Sequence, residues 1–129
     1  MYVLVVENET PILKQMRAAL EGSTVPISLA SSRDEALRIV DEAGTPAILV
    51  TNVDLGQRLD GFSLAHKLRR SSPLMLTLFV SATRWDVVRG VVGKQDPFML
   101  KPFDAAVFAE KPGDILQQTV ASSIPFKQA

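Results

Sequence analysis

Ala47-Ile48-Leu49-Val50-Thr51-Asn52-Val53-Asp54-Leu55-Gly56, running on through Gln57-Arg58-Leu59-Asp60-Gly61-Phe62, decides how the rest of the chain is read. Its first half is apolar, too short for a helix, and bounded by Gly44 and Pro46 on one side and Gly56 on the other. That combination predicts a strand buried on both faces, which belongs in a parallel sheet covered by helices. In an open sheet of that kind the binding crevice lies just beyond the carboxyl ends of the strands. Asn52 and Asp54 therefore stand where chemistry is expected.

Upstream, Tyr2 to Val6 is another buried-strand pattern and runs straight into the polar cluster Glu7-Asn8-Glu9. Thr10 followed by Pro11 predicts an N-cap with proline at the first helical position, and Ile12, Met16 and Leu20 recur at helical spacing until Gly22. Val25 to Ala30 reads as a second strand. Ser32 and Glu35 then form a capping box for a helix carrying Ala36, Ile39, Val40 and Ala43 on one face, stopped by Gly44 and Pro46.

Downstream, Asp60-Gly61 starts a helix with Leu64, Ala65 and Leu68 inward and Lys67, Arg69 and Arg70 outward, closed by Pro73. Leu74 to Val80 is a fourth strand ending at Ser81-Ala82. Thr83 and Asp86 make a capping-box-like start, but Val87, Val88, Gly90, Val91 and Val92 have low helix propensity and predict a short, weak helix. After Pro97 comes a fifth strand, Phe98 to Lys101, meeting Pro102-Phe103. Asp104 to Glu110 reads as a helical turn that Pro112 interrupts or restarts, and Ile115, Leu116 and Val120 mark a last helix. Strand and helix alternate five times, which predicts an α/β, flavodoxin-like, doubly wound sheet of five parallel strands in the order 2-1-3-4-5. Residues 1–122 are expected to form one domain and 123–129 a short frayed tail.

The composition of the 129 residues narrows the function by exclusion. Fourteen basic and fourteen acidic side chains balance, so no global field favours nucleic acid or an anionic membrane. Without cysteine there are no disulfides or thiolate metal sites. The amino terminus lacks the flank of a signal peptide and no apolar run approaches a membrane span, so a soluble, cytoplasmic protein is expected.

Four strands thus end in functional side chains: Glu7 and Asn8, then Asn52, then Ser81, then Lys101. Oxygen ligands, a hydroxyl and a lysine at one sheet edge suit a divalent cation and a phosphoryl group. At these positions the sequence resembles the receiver domain of bacterial two-component response regulators, through Val3-Leu4-Val5-Val6-Glu7-Asn8-Glu9, Asn52-Val53-Asp54-Leu55-Gly56, Leu59-Asp60-Gly61-Phe62, Ser81-Ala82 and Lys101-Pro102-Phe103. The resemblance implies that Glu7 and Asn8 occupy the place of an acidic pair binding magnesium, with the Asp54 main-chain carbonyl as a further ligand. It places Asn52 where an aspartate accepts a phosphoryl group from a kinase histidine. Ser81 then matches the switch hydroxyl, Lys101 the lysine that pairs with the acyl phosphate, and Phe98 an aromatic reporter of the switch. Lys101-Pro102 matches a peptide that the family often holds cis.

The departure lies at Asn52. An amide is neutral, its nitrogen lone pair is delocalised, and it offers no nucleophile comparable to a carboxylate oxygen. The expectation is a stand-alone pseudo-receiver, not an enzyme, that binds a protein partner, either a sensor kinase or a downstream effector. The expected surface is the helix from Thr83, the fifth strand and the last helix, including Trp85, Phe98 and Phe103; a homodimer is compatible with it. No cofactor is certain, and magnesium binding should be weak because Asn8 and Asn52 remove about two negative charges. Plainer roles stand beside these: Asn52 as a hydrogen-bonded buried amide, Lys101 as an ion-pair partner of Glu7 or Asp54, Ser81 as a routine strand-end hydroxyl, Trp85 as a packing residue. His66 reads as a surface histidine. Two rivals remain, a receiver phosphorylated on Asp54 and an unrelated flavodoxin-like ligand-binding domain, the latter without a glycine-rich phosphate loop after the first strand.

Overall fold

A computed structural model describes residues 1–57, 59–82 and 97–123, with side chains as far as Ile115. Chain order is β1 (Val3–Val6), α1 (Thr10–Ala19), β2 (Ile27–Ala30), α2 (Arg33–Ala43), β3 (Ile48–Asn52), α3 (Asp60–Ser71), β4 (Leu76–Ser81), β5 (Phe98–Leu100) and α4 (Ala105–Ser123). The five strands form one sheet in the order β2-β1-β3-β4-β5, every neighbouring pair parallel, as the sequence predicts.

Alternation along each strand splits the apolar runs between two cores. Leu4, Val6, Leu49 and Phe79 point toward Ala36 of α2 and Leu64, Ala65 and Leu68 of α3. Val3, Val5, Ile48, Val50, Leu78 and Val80 point the other way, toward Met16 and Leu20 of α1 and Phe108 and Ile115 of α4. Each fully buried Leu, Val or Phe contributes about 1.5–3 kcal/mol, and the inner strands β1 and β3 are buried at every position.

Several boundaries differ from the sequence expectation, each for a local reason. The α1 cap is Glu9 rather than Thr10, because the Glu9 N–H is already held by Glu7 Oε2 at 3.0 Å and the residue is extended. β2 begins at Ile27, since Pro26 has no N–H and contributes only its carbonyl, to Val3 N at 2.9 Å. Leu74 is 92% exposed in the turn before β4, which starts at Leu76. Ser32 Oγ accepts from Glu35 N at 3.1 Å as predicted, but the Glu35 carboxylate returns to Ser31 N, and Ala43 lies exposed.

The largest correction is at Pro112, which does not interrupt α4: the helix runs from Ala105 to Ser123 with Pro112 inside it. Phe108, Pro112 and Ile115 are buried at i, i+4 and i+7 on one face, and that packing outweighs the one hydrogen bond that proline removes. Asp104 caps this helix, its Oδ1 accepting from Ala106 N and Val107 N. The expectations for Thr83, Trp85, Asp86, the weak helix after them and the tail beyond Ser123 lie outside the described residues.

Candidate functional site

Strand register assembles the site. Val6 pairs with Thr51, so Glu7 and Asn52 are the next neighbours along β1 and β3. Asn52 pairs with Val80, and Ser81 with Leu100, which brings Ser81 and then Lys101 to the same edge. Beyond this edge lies a cavity of about 440 Å³ lined by Asn8, Glu9, Asn52, Asp54, Gly56, Gln57, Ser81, Ala82 and Lys101. All the strand-end residues singled out from sequence meet here, with Glu7 beneath them fully buried.

Glu7 is the hub. Its Oε1 lies 2.6 Å from Lys101 Nζ in an ion pair whose side chains are 0% and 7% exposed. Its Oε2 accepts from Glu9 N at 3.0 Å and from Asn52 Nδ2 at 3.2 Å. Lys101 thus pairs with Glu7 rather than Asp54, and Glu9 is its second, longer partner at 3.4 Å. A buried carboxylate is tolerated only when paired and hydrogen-bonded in this way.

Asn52 is 8% exposed on the cavity floor. Besides Glu7, its Nδ2 lies 3.1 Å from Asn8 Oδ1. Asp54 sits past the end of β3, and its Oδ1 accepts from Leu59 N at 2.6 Å. Leu59 takes a left-handed φ of 62° there, and Asp60 closes the same loop through Leu55 N. Ser81 is buried at the cavity wall. Phe98 is half-buried against the α2/α3 core, and Phe103 stacks on Phe108 with ring centroids 5.0 Å apart. The Lys101-Pro102 peptide is cis. His66 is exposed on α3.

Two residues carry more than sequence reasoning assigned them. Gly61, read only as a helix start, packs so closely that a Cβ would overlap the Asn52 carbonyl oxygen, and its N–H donates to Val53 O at 2.9 Å. The Asp-Gly pair was the available signal, but only the fold shows what the glycine touches. Glu9 was likewise visible as part of an acidic cluster without its pairing to Lys101.

Magnesium, which the resemblance implies, would need Glu7 Oε2, Asn8 Oδ1 and the Asp54 carbonyl. Only Glu7 is charged, and both its oxygens are engaged by Lys101, Glu9 N and Asn52. Magnesium takes about six oxygens at roughly 2.1 Å and gives up water reluctantly, and this donor set does not fit it. Among the described residues no group of three or more His, Cys, Asp or Glu side chains could hold a metal ion, and no helix is long and apolar enough to cross a membrane.

Comparison with known proteins agrees with this geometry. The response regulator receiver domain model matches residues 3–111. The alkaline phosphatase synthesis transcriptional regulatory protein PhoP of Bacillus subtilis (strain 168) is 32% identical over 103 residues, covering 78% of this chain and 42% of that protein. The chain therefore spans less than half the length of that relative. A CheY-like response regulator receiver domain protein from Methanospirillum hungatei JF-1 superposes with a TM-score of 0.78 at 20% identity, covering 95% of this chain and 98% of that one. The receiver domain of NtrX from Brucella abortus gives 0.77 at 22% identity, covering 89% and 98%. These two likenesses speak for the fold, while the family match runs over all five strands and every strand end that lines the cavity. The chain belongs to the response regulator receiver domain family of two-component signalling.

Proposed function

We propose that this receiver domain is a pseudo-receiver: Asn52 replaces the phospho-acceptor, and residues 1–122 signal by binding a protein partner rather than by carrying phosphate. The observation that carries the reading is the Asn52 Nδ2 donor bond to Glu7 Oε2 at 3.2 Å. A side chain that donates into a fully buried carboxylate has no charged oxygen to direct at phosphorus. Asp54 is a poor substitute, because its carboxylate holds the loop at Leu59 N. The domain catalyses no reaction in this reading, and Ser81, Phe98 and Lys101 keep their places without a phosphoryl group to answer.

The partner is a sensor kinase or a downstream effector in the cytoplasm, or a second copy of the chain. The proposed surface comprises β5, α4 and the stretch containing Trp85, with Phe98 and Phe103 at its edge. Leu100 and Val107 support it, being 45% and 47% exposed on β5 and α4. The test is incubation with acetyl phosphate and magnesium followed by intact-mass spectrometry. No adduct is expected; an adduct, whether or not it disappears in Asp54→Ala, overturns the proposal and in the first case names Asp54 as the acceptor.

A further inference from the structure

Three acceptor positions crowd together in the pocket. The point held by Asn8 Oδ1 lies 3.3 Å from the Asp54 carbonyl oxygen, 3.3 Å from Glu7 Oε2 and 3.1 Å from Asn52 Nδ2. Three converging oxygens repel one another unless positive charge or hydrogen lies between them. An aspartate at residue 8 has oxygen on both branches and would need an ion there. Asparagine has another solution: a half-turn of its terminal torsion brings its NH2 to that point, where it donates to both the Asp54 carbonyl and Glu7 Oε2. Two hydrogen bonds are then made for one given up, that one being the Asn52 Nδ2 bond to Asn8 Oδ1, and the two amide nitrogens stand 3.1 Å apart with no hydrogen bond between them. The Asn52 nitrogen keeps its bond to Glu7 in either orientation.

We propose that Asn8 and Asn52 together replace the divalent cation, their amide hydrogens bridging Glu7 Oε2 and the Asp54 carbonyl while Lys101 neutralises Glu7 through Oε1. This deepens the pseudo-receiver reading, on which it rests, by naming how the pocket is regulated: it is not regulated by magnesium. Glu7 and Lys101 cancel in charge, the amides supply the N–H groups that the oxygens require, and the pocket holds one shape at any magnesium concentration. Changing Asn8→Asp puts a carboxylate oxygen 3.3 Å from Glu7 Oε2, and Asn52→Asp puts one at 3.2 Å. Each change recreates like-charge crowding, which a bound cation or a proton shared between the two carboxyls relieves.

The experiment compares thermal melting and side-chain amide 1H–15N spectra in chelator and in millimolar magnesium chloride, for the wild-type chain, Asn8→Asp, Asn52→Asp and the double variant. The single variants also assign the two Asn NH2 pairs by their disappearance. In the wild type, the melting temperature and both NH2 pairs should not respond to magnesium. The double variant should melt lower in chelator and gain about 5 °C or more with magnesium, as a ligand bound only by the folded state requires. If the double variant does not fold in chelator, its recovery of a folded spectrum on adding magnesium is the supporting result. A wild type whose Asn signals shift or whose melting temperature rises with magnesium overturns the proposal, and so does a double variant indifferent to it. A phosphoryl adduct on a magnesium-insensitive wild type would overturn the pseudo-receiver reading alone, whereas a magnesium-responsive wild type without adduct would overturn this inference alone.

Discussion

Lys101→Met isolates the ion pair at the centre of the pocket. Methionine keeps most of the lysine stem's volume but leaves the fully buried Glu7 Oε1 without the ammonium now 2.6 Å away. Breaking a buried pair from one side costs about 3–5 kcal/mol, because a desolvated charge is left uncompensated. For a domain of this length an unfolding entropy near 2.1 cal/mol/K per residue converts that to a fall in melting temperature of about 11–18 °C. Glu7 would retain its bonds from Glu9 N and Asn52 Nδ2, which places the expected loss toward the lower end. The assay is a double-mutant cycle in urea with Lys101→Met, Glu7→Gln and the pair together. The double variant should recover at least about 1.5 kcal/mol relative to the sum of the singles, since neither charge is then stranded. A Lys101→Met variant that loses under about 1 kcal/mol would mean that the pair is solvated like a surface bridge, and the account of Glu7 as a buried hub would be refuted.

Other perturbations read other parts of the structure. Gly61→Ala should destabilise by about 3 kcal/mol or more in chemical denaturation, since its Cβ must displace the Asn52 carbonyl or the start of α3; a change within error would show that the two are not packed together. Thr77 is 1% exposed with its Oγ1 lacking a hydrogen-bond partner among the described residues, so Thr77→Val should raise stability by about 1 kcal/mol. A loss of stability there would reveal a hydrogen bond to the hydroxyl. Tyr2 donates to the Gly44 carbonyl at 2.6 Å, and burial raises its pKa above the ordinary 10.0. Because the folded value is the higher one, its contribution is complete below pH 10 and declines as pH rises through that value. The wild type should therefore lose stability in alkali more steeply than Tyr2→Phe, as followed by denaturation at stepped pH.

Local physics made much of this chain legible in one dimension. Short β-branched runs at Val3–Val6 and Ile48–Asn52 are buried on both faces, and that alone implies a covered parallel sheet whose strand ends carry Glu7, Asn52, Ser81 and Lys101. Ser32 and Glu35 announced the start of α2, and Pro73 followed the end of α3, because caps and breakers act over a few residues. The neutral amide at residue 52 is likewise a property of one side chain.

Pairings between distant residues were decided only by the folded structure. Lys101 could have served Glu7 or Asp54, and the choice follows from the register of β4 against β5 and of β1 against β3, which no local pattern encodes. Pro112 had every local reason to stop a helix and does not, since burial of its face beside Phe108 and Ile115 is a tertiary gain that propensity does not contain. Gly61 shows the same division at one position. Its sequence neighbours announce a helix start, while the reason it must be glycine is the backbone of Asn52, nine residues earlier and on another element.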